Sequence, residues 1–216
     1  MTNYLVETSI PELHRDWDIK DMVGADNLEA VQHGVIKFIT DLNVIKDGNC
    51  LYIYSVENGT GKTRAANFIL YQLHKPRLDE KGNGVIIPIL SVMFGEYLRF
   101  CKDTFGEDSK EARRIVMMTP ILLLDDVSPV FSLSNVQNDR AELLMLMAYR
   151  RNHKLVTVIT SNLTPDEFQK LYGPSASSKV LENFSFIQVI GGDVRQAIYP
   201  DQLQESDEPE DDEACR

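Results

Sequence analysis

Gly59-Thr60-Gly61-Lys62-Thr63 follows the apolar run Leu51-Tyr52-Ile53-Tyr54 and reads as the phosphate-proximal half of a P-loop. A strand that ends in such a loop and feeds a helix turns several backbone N–H groups toward one anion. In this reading Asn58, Gly59, Thr60 and Gly61 line the loop and Lys62 reaches the β- and γ-phosphates, while the Thr63 hydroxyl takes a place on Mg2+. ATP with Mg2+ is the expected ligand. In G-x-x-x-x-G-K-[ST] the first glycine falls at position 56, where this chain carries Val56. The phosphate-proximal part is intact and the first turn of the loop is altered.

About 60 residues later comes Ile121-Leu122-Leu123-Leu124-Asp125-Asp126, an apolar strand ending in two acids. Alone, it also reads as a core strand entering an acidic turn. In an α/β sheet, however, ligands collect at the carboxyl ends of strands. Asp125 is then placed beside the P-loop to hold Mg2+ through water, and Asp126 to orient or deprotonate the attacking water. A third polar group, Asn162, ends the apolar run Leu155-Val156-Thr157-Val158-Ile159-Thr160. It reads either as a turn or capping residue before Thr164-Pro165-Asp166 or as the group that orders the lytic water.

The elements that position these groups alternate. Apolar spacing predicts a helix over 27–45, a strand over 51–55, a helix over 63–74 and a polar loop over 76–84. A buried strand is expected at 85–90, helices at 91–105 and 108–117, a strand at 121–124 and a helix at 139–152. Strand 155–160, helices 164–172 and 175–183, and a last strand at 186–190 complete the order. Five strands separated by helices imply a parallel sheet covered on both faces, an α/β fold.

In this order the motifs resemble the AAA+ ATPases, and within them the bacterial helicase-loader family of DnaC/DnaI type with its transposition relative IstB. The resemblance covers roughly residues 10–198. It is carried by RRNHKLVTVITSNLTPDEFQKLYG (150–173), Lys102-Asp103-Thr104-Phe105, Ser178-Lys179-Val180-Leu181-Glu182, Gly191 with Arg195, and Ile10-Pro11 with Trp17. It implies a three-layer sandwich around a central parallel five-stranded sheet with a reduced C-terminal lid. It also implies Asn162 as sensor 1, Arg195 as sensor 2, and Lys179 at the arginine-finger position. Lys lacks the planar fork of Arg. Lys179 is thus either a point charge on a neighbouring subunit's γ-phosphate or a solvated lysine, with Arg150 or Arg151 as other candidate cations. Family partners would be a hexameric DnaB-type helicase, single-stranded DNA, and further copies of the chain in an ATP-dependent spiral or ring. Lys102 and Phe105 are the matching DNA candidates, with the loop 132–138 behind them. Phe105 reads alternatively as packed under the next helix. Lys110, Arg113 and Arg114 either contact phosphate or balance Glu107, Asp108 and Glu111.

The expected function is loading of a replicative helicase onto single-stranded DNA, with weak, partner-stimulated ATP hydrolysis. The alternatives are an IstB-like helper ATPase and an ATP-binding module that sequesters a helicase or loader.

Composition is that of an ordinary globular chain: 216 residues, 43% hydrophobic and 25% charged. No apolar stretch approaches a membrane span, and the N-terminus lacks the basic and apolar blocks of a signal peptide, so a cytoplasmic protein is expected. Cys50, Cys101 and Cys215 are too scattered for a disulfide framework or zinc site, and the four histidines suggest no chemistry. Net charge is −11, of which the tail 201–216 contributes −7. That tail is expected to be disordered, as a solubilising extension or a competitor of nucleic acid. The remainder is close to balanced, which argues against strong nonspecific DNA binding by a lone monomer. Residues 1–26 are expected to form an arm, near the adenine or a partner, and 27–200 the ATPase domain.

Overall fold

The computed structural model describes residues 18–21, 25–41, 43–78, 82–103, 106–128, 136–173 and 181–193. Every apolar position of the run at 121–124 is fully buried, which requires cover on both faces of its strand. The strands that supply the sheet are β1 (Cys50–Tyr54), β4 (Ile89–Met93), β5 (Ile121–Asp125), β6 (Val156–Ser161) and β7 (Phe184–Gln188). They pair in the order β4-β5-β6-β1-β7, all parallel. A short antiparallel hairpin joins β2 (Arg77–Leu78) to β3 (Gly84–Val85). The helices are α1 (Leu28–Thr40), α2 (Asn43–Asp47), α3 (Lys62–His74), α4 (Phe94–Asp103), α5 (Glu107–Met118), α6 (Val136–Asn152) and α7 (Pro165–Tyr172).

Period-two alternation sorts the strand residues between two cores. Leu51 and Ile53 of β1, Leu123 of β5 and Val158 of β6 pack with Val31, Val35 and Phe38 of α1 and with Ala66, Ile69 and Leu73 of α3. Tyr52, Leu122, Leu124 and Ile159 face the other way. They pack with Phe94, Tyr97 and Leu98 of α4, Leu143 and Leu146 of α6 and Phe168 of α7. The result is the three-layer sandwich expected from the sequence.

Several boundaries differ from the sequence reading. The helix expected over 27–45 is two helices, because Asp41 takes an extended conformation (φ −70°, ψ 111°) and its side chain accepts from Asn43 N–H at 2.9 Å. The run at 85–90 is not one buried strand. Val85 belongs to the exposed hairpin, which occupies part of the expected loop 76–84, and Pro88 has no N–H for a ladder. The sheet strand starts at Ile89 and runs to Met93, opposite Asp125, so α4 starts later than position 91. The last strand lies two residues earlier than expected. The tail 201–216, the arm up to residue 17, and residues 194–200 lie outside the described residues. Among the described residues no helix is long and apolar enough to cross a membrane.

Arg150, near the end of α6, is fully buried. Its Nη1 donates to the carbonyls of Val116 (3.0 Å), Met117 (3.2 Å) and Thr119 (2.8 Å) at the end of α5. Its Nε donates to Thr157 Oγ1 at 2.8 Å and its Nη2 to Val156 O at 2.6 Å. The guanidinium therefore sits on the negative end of a helix and ties α5, α6 and β6 together. Burial pulls its pKa down to about 10, which leaves it charged at neutral pH. This corrects the sequence reading that offered Arg150 as a finger across a subunit interface: all its donors face inward. Arg151 pairs with Glu182 at 2.5 Å.

Arg150→Ala leaves several buried acceptors without a donor. It is expected to lower stability by about 3–5 kcal/mol in urea denaturation, and Arg150→Lys, which cannot span the same fan of carbonyls, to recover less than half of that loss.

Candidate nucleotide site

The end of β1 is fixed by its two neighbours. Ser55 N–H donates to Ser161 O at 3.2 Å, and Val189 N–H donates to Tyr54 O at 2.8 Å. The chain then leaves the sheet and turns at Gly59 (φ 69°) and Gly61 (φ 91°) before α3 begins at Lys62. Both glycines occupy the left-handed region, where a side chain is strained. Val56 does not: its φ is not positive and its side chain is 66% exposed. The first turn therefore needs no glycine. The α3 N-terminus points into this loop, and the helix dipole favours an anion there.

Lys62 Nζ donates to the carbonyl of Glu57 at 2.9 Å, so the lysine folds back over its own loop. Thr63 Oγ1 donates to Asp125 Oδ1 at 2.8 Å, and Thr160 Oγ1 reaches the same oxygen at 2.5 Å. The register Leu124↔Ile159 brings Asp125 and Thr160 side by side at the ends of β5 and β6. Thr160 Oγ1 in turn accepts from Asp126 N–H at 2.9 Å. Asp126 has φ 54°, an uncommon conformation for a residue with a side chain, and is exposed. Backbone strain of this kind collects at functional sites.

Asn162 Nδ2 donates to Asn58 Oδ1 at 3.0 Å, linking the exit of β6 to the P-loop. The helix-capping alternative for Asn162 falls to Thr164. Its hydroxyl accepts from Glu167 N–H while Glu167 accepts from Thr164 N–H at 2.8 Å, a complete capping box on α7. Asn58, Gly59, Gly61, Lys62, Thr63, Asp125, Asp126 and Asn162 are thus gathered at the carboxyl ends of β1, β5 and β6, with Thr60 buried beneath them.

The residues fit a magnesium–nucleotide ligand. Thr63 and Asp125 offer oxygen donors, and Mg2+ commonly takes one or two protein groups with substrate phosphates supplying the rest. Among the described residues no cluster of three or more His, Cys, Asp or Glu forms a self-sufficient metal site.

Two residues of the site were not read from the sequence. Thr160 looked like one more strand residue; its signal was a hydroxyl next to the end of an apolar run. Asp193 follows Gly191-Gly192, and its carboxylate lies against Gly59.

Lys102 stands elsewhere, on the face of the sheet opposite α3. Its Nζ pairs with Asp139 of α6 at 2.6 Å, and Arg113 Nε pairs with Glu142 at 3.1 Å. Glu142 also accepts from Tyr97 OH at 2.7 Å, and burial pushes that phenol's pKa well above its usual range. Lys102, Arg113 and Glu142 border a cavity of about 400 Å3 with Asn138, Ala141 and Met145. Lys110 and Arg114 pair with Glu107 and Glu111 on their own helix. Phe105, Lys179, Arg195 and the loop 132–135 lie outside the described residues.

No protein-family model and no curated protein matches this chain. Solved structures do. The DnaC helicase loader superposes with a TM-score of 0.65 at 19% identity, over 83% of this chain and 99% of that one. DnaI gives 0.64 at 19%, over 85% and 93%. The replication initiator DnaA bound to AMPPCP and single-stranded DNA gives 0.55 at 15%, over 83% and 50%. The fold is that of the DnaC and DnaI structures.

Thr160→Val removes the partner of Asp126 N–H and one of two hydroxyls on Asp125. It is expected to cost about 1–3 kcal/mol in urea denaturation, with Thr160→Ser close to wild type. Equal stability of the valine variant would show the hydroxyl to be idle.

Proposed function

We propose that this protein is an ATPase that loads a hexameric replicative helicase onto single-stranded DNA. The observation that carries the reading is the junction of Thr63, Asp125 and Thr160 beneath a left-handed glycine loop, set in the fold of the DnaC helicase loader. The DnaA structure with an ATP analogue and single-stranded DNA supports the same ligand classes.

In this reading Lys62 exchanges the Glu57 carbonyl for the β- and γ-phosphates. Thr63, and Asp125 through water, would hold Mg2+, and the ion would supply charge neutralisation at the phosphates. Thr160 keeps the Asp125 carboxylate in place. Asp126, exposed beside it, orients or deprotonates water, and Asn162, tethered to Asn58, positions that water against the γ-phosphate. Arg195 serves as sensor 2, and Lys179 of a neighbouring copy supplies a point charge in trans within a spiral or ring. Nucleotide state is passed to the helicase and DNA surfaces, so the useful output is a change of conformation.

For DNA we assign Lys102 and Phe105. Lys102 is held by Asp139 at the rim of the α4–α6 cavity and is about one-third exposed, so it presents a positioned charge to a phosphate. Phe105 offers a stacking face that accepts any base.

The test is steady-state ATP hydrolysis with nucleotide binding measured in parallel, each with and without single-stranded DNA and a DnaB-type hexamer. Lys62→Ala is expected to lose ATP binding. Asp126→Asn is expected to bind ATP and turn over about 100-fold more slowly than wild type. Wild-type turnover no faster than that of Lys62→Ala under every condition would sink the hydrolytic reading.

A further inference from the structure

The carboxylate of Asp193 rests on the P-loop. A Cβ built on Gly59 would lie 1.9 Å from Asp193 Oδ1, 2.2 Å from its Cγ and 2.8 Å from Oδ2. Gly59 is one of the two glycines whose left-handed conformation shapes the loop. An acidic group is therefore packed against the backbone that is built to receive negative charge.

Asp193 is delivered there by a segment held on two sides. The end of β1 holds it through Val189 N–H on Tyr54 O, at 2.8 Å. Residues 25–27 hold it from the other side. Ala25 forms an antiparallel bridge with Gly191, and Asp26 N–H donates to Ile190 O at 2.6 Å. The Asn27 side chain donates to Gln188 O at 2.8 Å and accepts from Ile190 N–H at 2.9 Å, imitating a strand partner. Asn27 also sits at the start of α1, yet its side chain makes no capping bond to that helix. Its amide is committed to the clasp instead.

We propose that Asp193 is an intramolecular competitor of the nucleotide's phosphates. Two anions at Gly59 repel, the more strongly where protein rather than water surrounds them. A polyphosphate entering the loop therefore draws residues 191–193 away from Gly59. Because Gly191 and Ile190 are clasped to Ala25, Asp26 and Asn27, withdrawal of Asp193 strains that clasp. Nucleotide occupancy is thereby reported to the junction that leads into the N-terminal arm. The competition lowers affinity for ATP, and the difference is what the clasp receives as a signal. This proposal rests on the reading of residues 59–63 as a triphosphate site.

The two ideas separate in one calorimetric series on the full chain, titrating Mg2+ with ATP, ADP or AMP into wild type, Asp193→Asn, Asn27→Ala and Lys62→Ala. Asp193→Asn keeps the shape of the side chain and removes its charge. It is expected to bind ATP roughly tenfold more tightly, with a smaller gain for ADP and the smallest for AMP. Asn27→Ala, which frees the segment but leaves the charge, is expected to tighten ATP binding by a lesser factor. In wild type, ATP is expected to speed amide hydrogen exchange at Asp26 and Ile190. Unchanged or weaker ATP binding by Asp193→Asn, a gain independent of phosphate number, or slower exchange at those amides each overturns the proposal. Weaker binding of all three nucleotides would instead make Asp193 an acceptor for a ribose hydroxyl. If ATP binding is present in wild type and lost in Lys62→Ala, the triphosphate reading stands whatever Asp193→Asn does. If wild type binds no ATP, both fall.

Discussion

One carboxylate oxygen holds the site together. Asp125 Oδ1 receives the hydroxyls of Thr63 and Thr160, and those two residues come from the helix after the P-loop and from the neighbouring strand. Three elements distant in sequence are thus brought to one atom. The arrangement depends on a parallel sheet, because only parallel strands present their carboxyl ends, and the loops that follow them, along one edge. The same register that buries Leu122 and Leu124 beside Thr157 and Ile159 leaves Asp125 and Thr160 at that edge.

The two faces of the sheet do different work. On one, α1 and α3 pack on Leu51, Ile53, Leu123 and Val158, so the helix that begins at Lys62 is fixed by its apolar side. On the other, α4 to α7 cover Tyr52, Leu122 and Leu124, and Arg150 secures them by capping the end of α5. A buried arginine with no carboxylate partner among the described residues is unusual, since an isolated charge in the interior is costly. Here five hydrogen bonds to carbonyls and a hydroxyl stand in for the anion. That cap anchors α5, the helix carrying Arg113, to the strand that carries Thr160.

Much of this was legible in the chain. The run at 121–126 could only be a strand with both faces buried and its acids at the exit, and the glycines at 59 and 61 marked a loop that side chains would strain. The misreadings have specific causes. The helix over 27–45 kept apolar spacing across Asp41, yet an aspartate that accepts its own chain's N–H two residues on competes with the helix. The strand over 85–90 was read from β-branched residues alone, and Pro88 with its missing donor decided the pairing instead. Val56 seemed a defect because the motif has glycine there, whereas the backbone at that position asks nothing special of the residue.

By itself, then, the sequence determined where the glycine loop lies, which strand ends in acids, and that helices must cover a parallel sheet. These follow from local patterns: periodicity, left-handed glycines and short motifs that act within one turn of chain. The tertiary structure alone decided which distant groups share an atom. Thr160 meets Asp125 through strand register, Asn162 meets Asn58 because Thr164 takes the capping role, and Asp193 meets Gly59 because residues 25–27 clasp the exit of β7. Each of these contacts joins residues more than thirty positions apart. Such contacts arise from strand order and packing, and no local pattern in the chain encodes them.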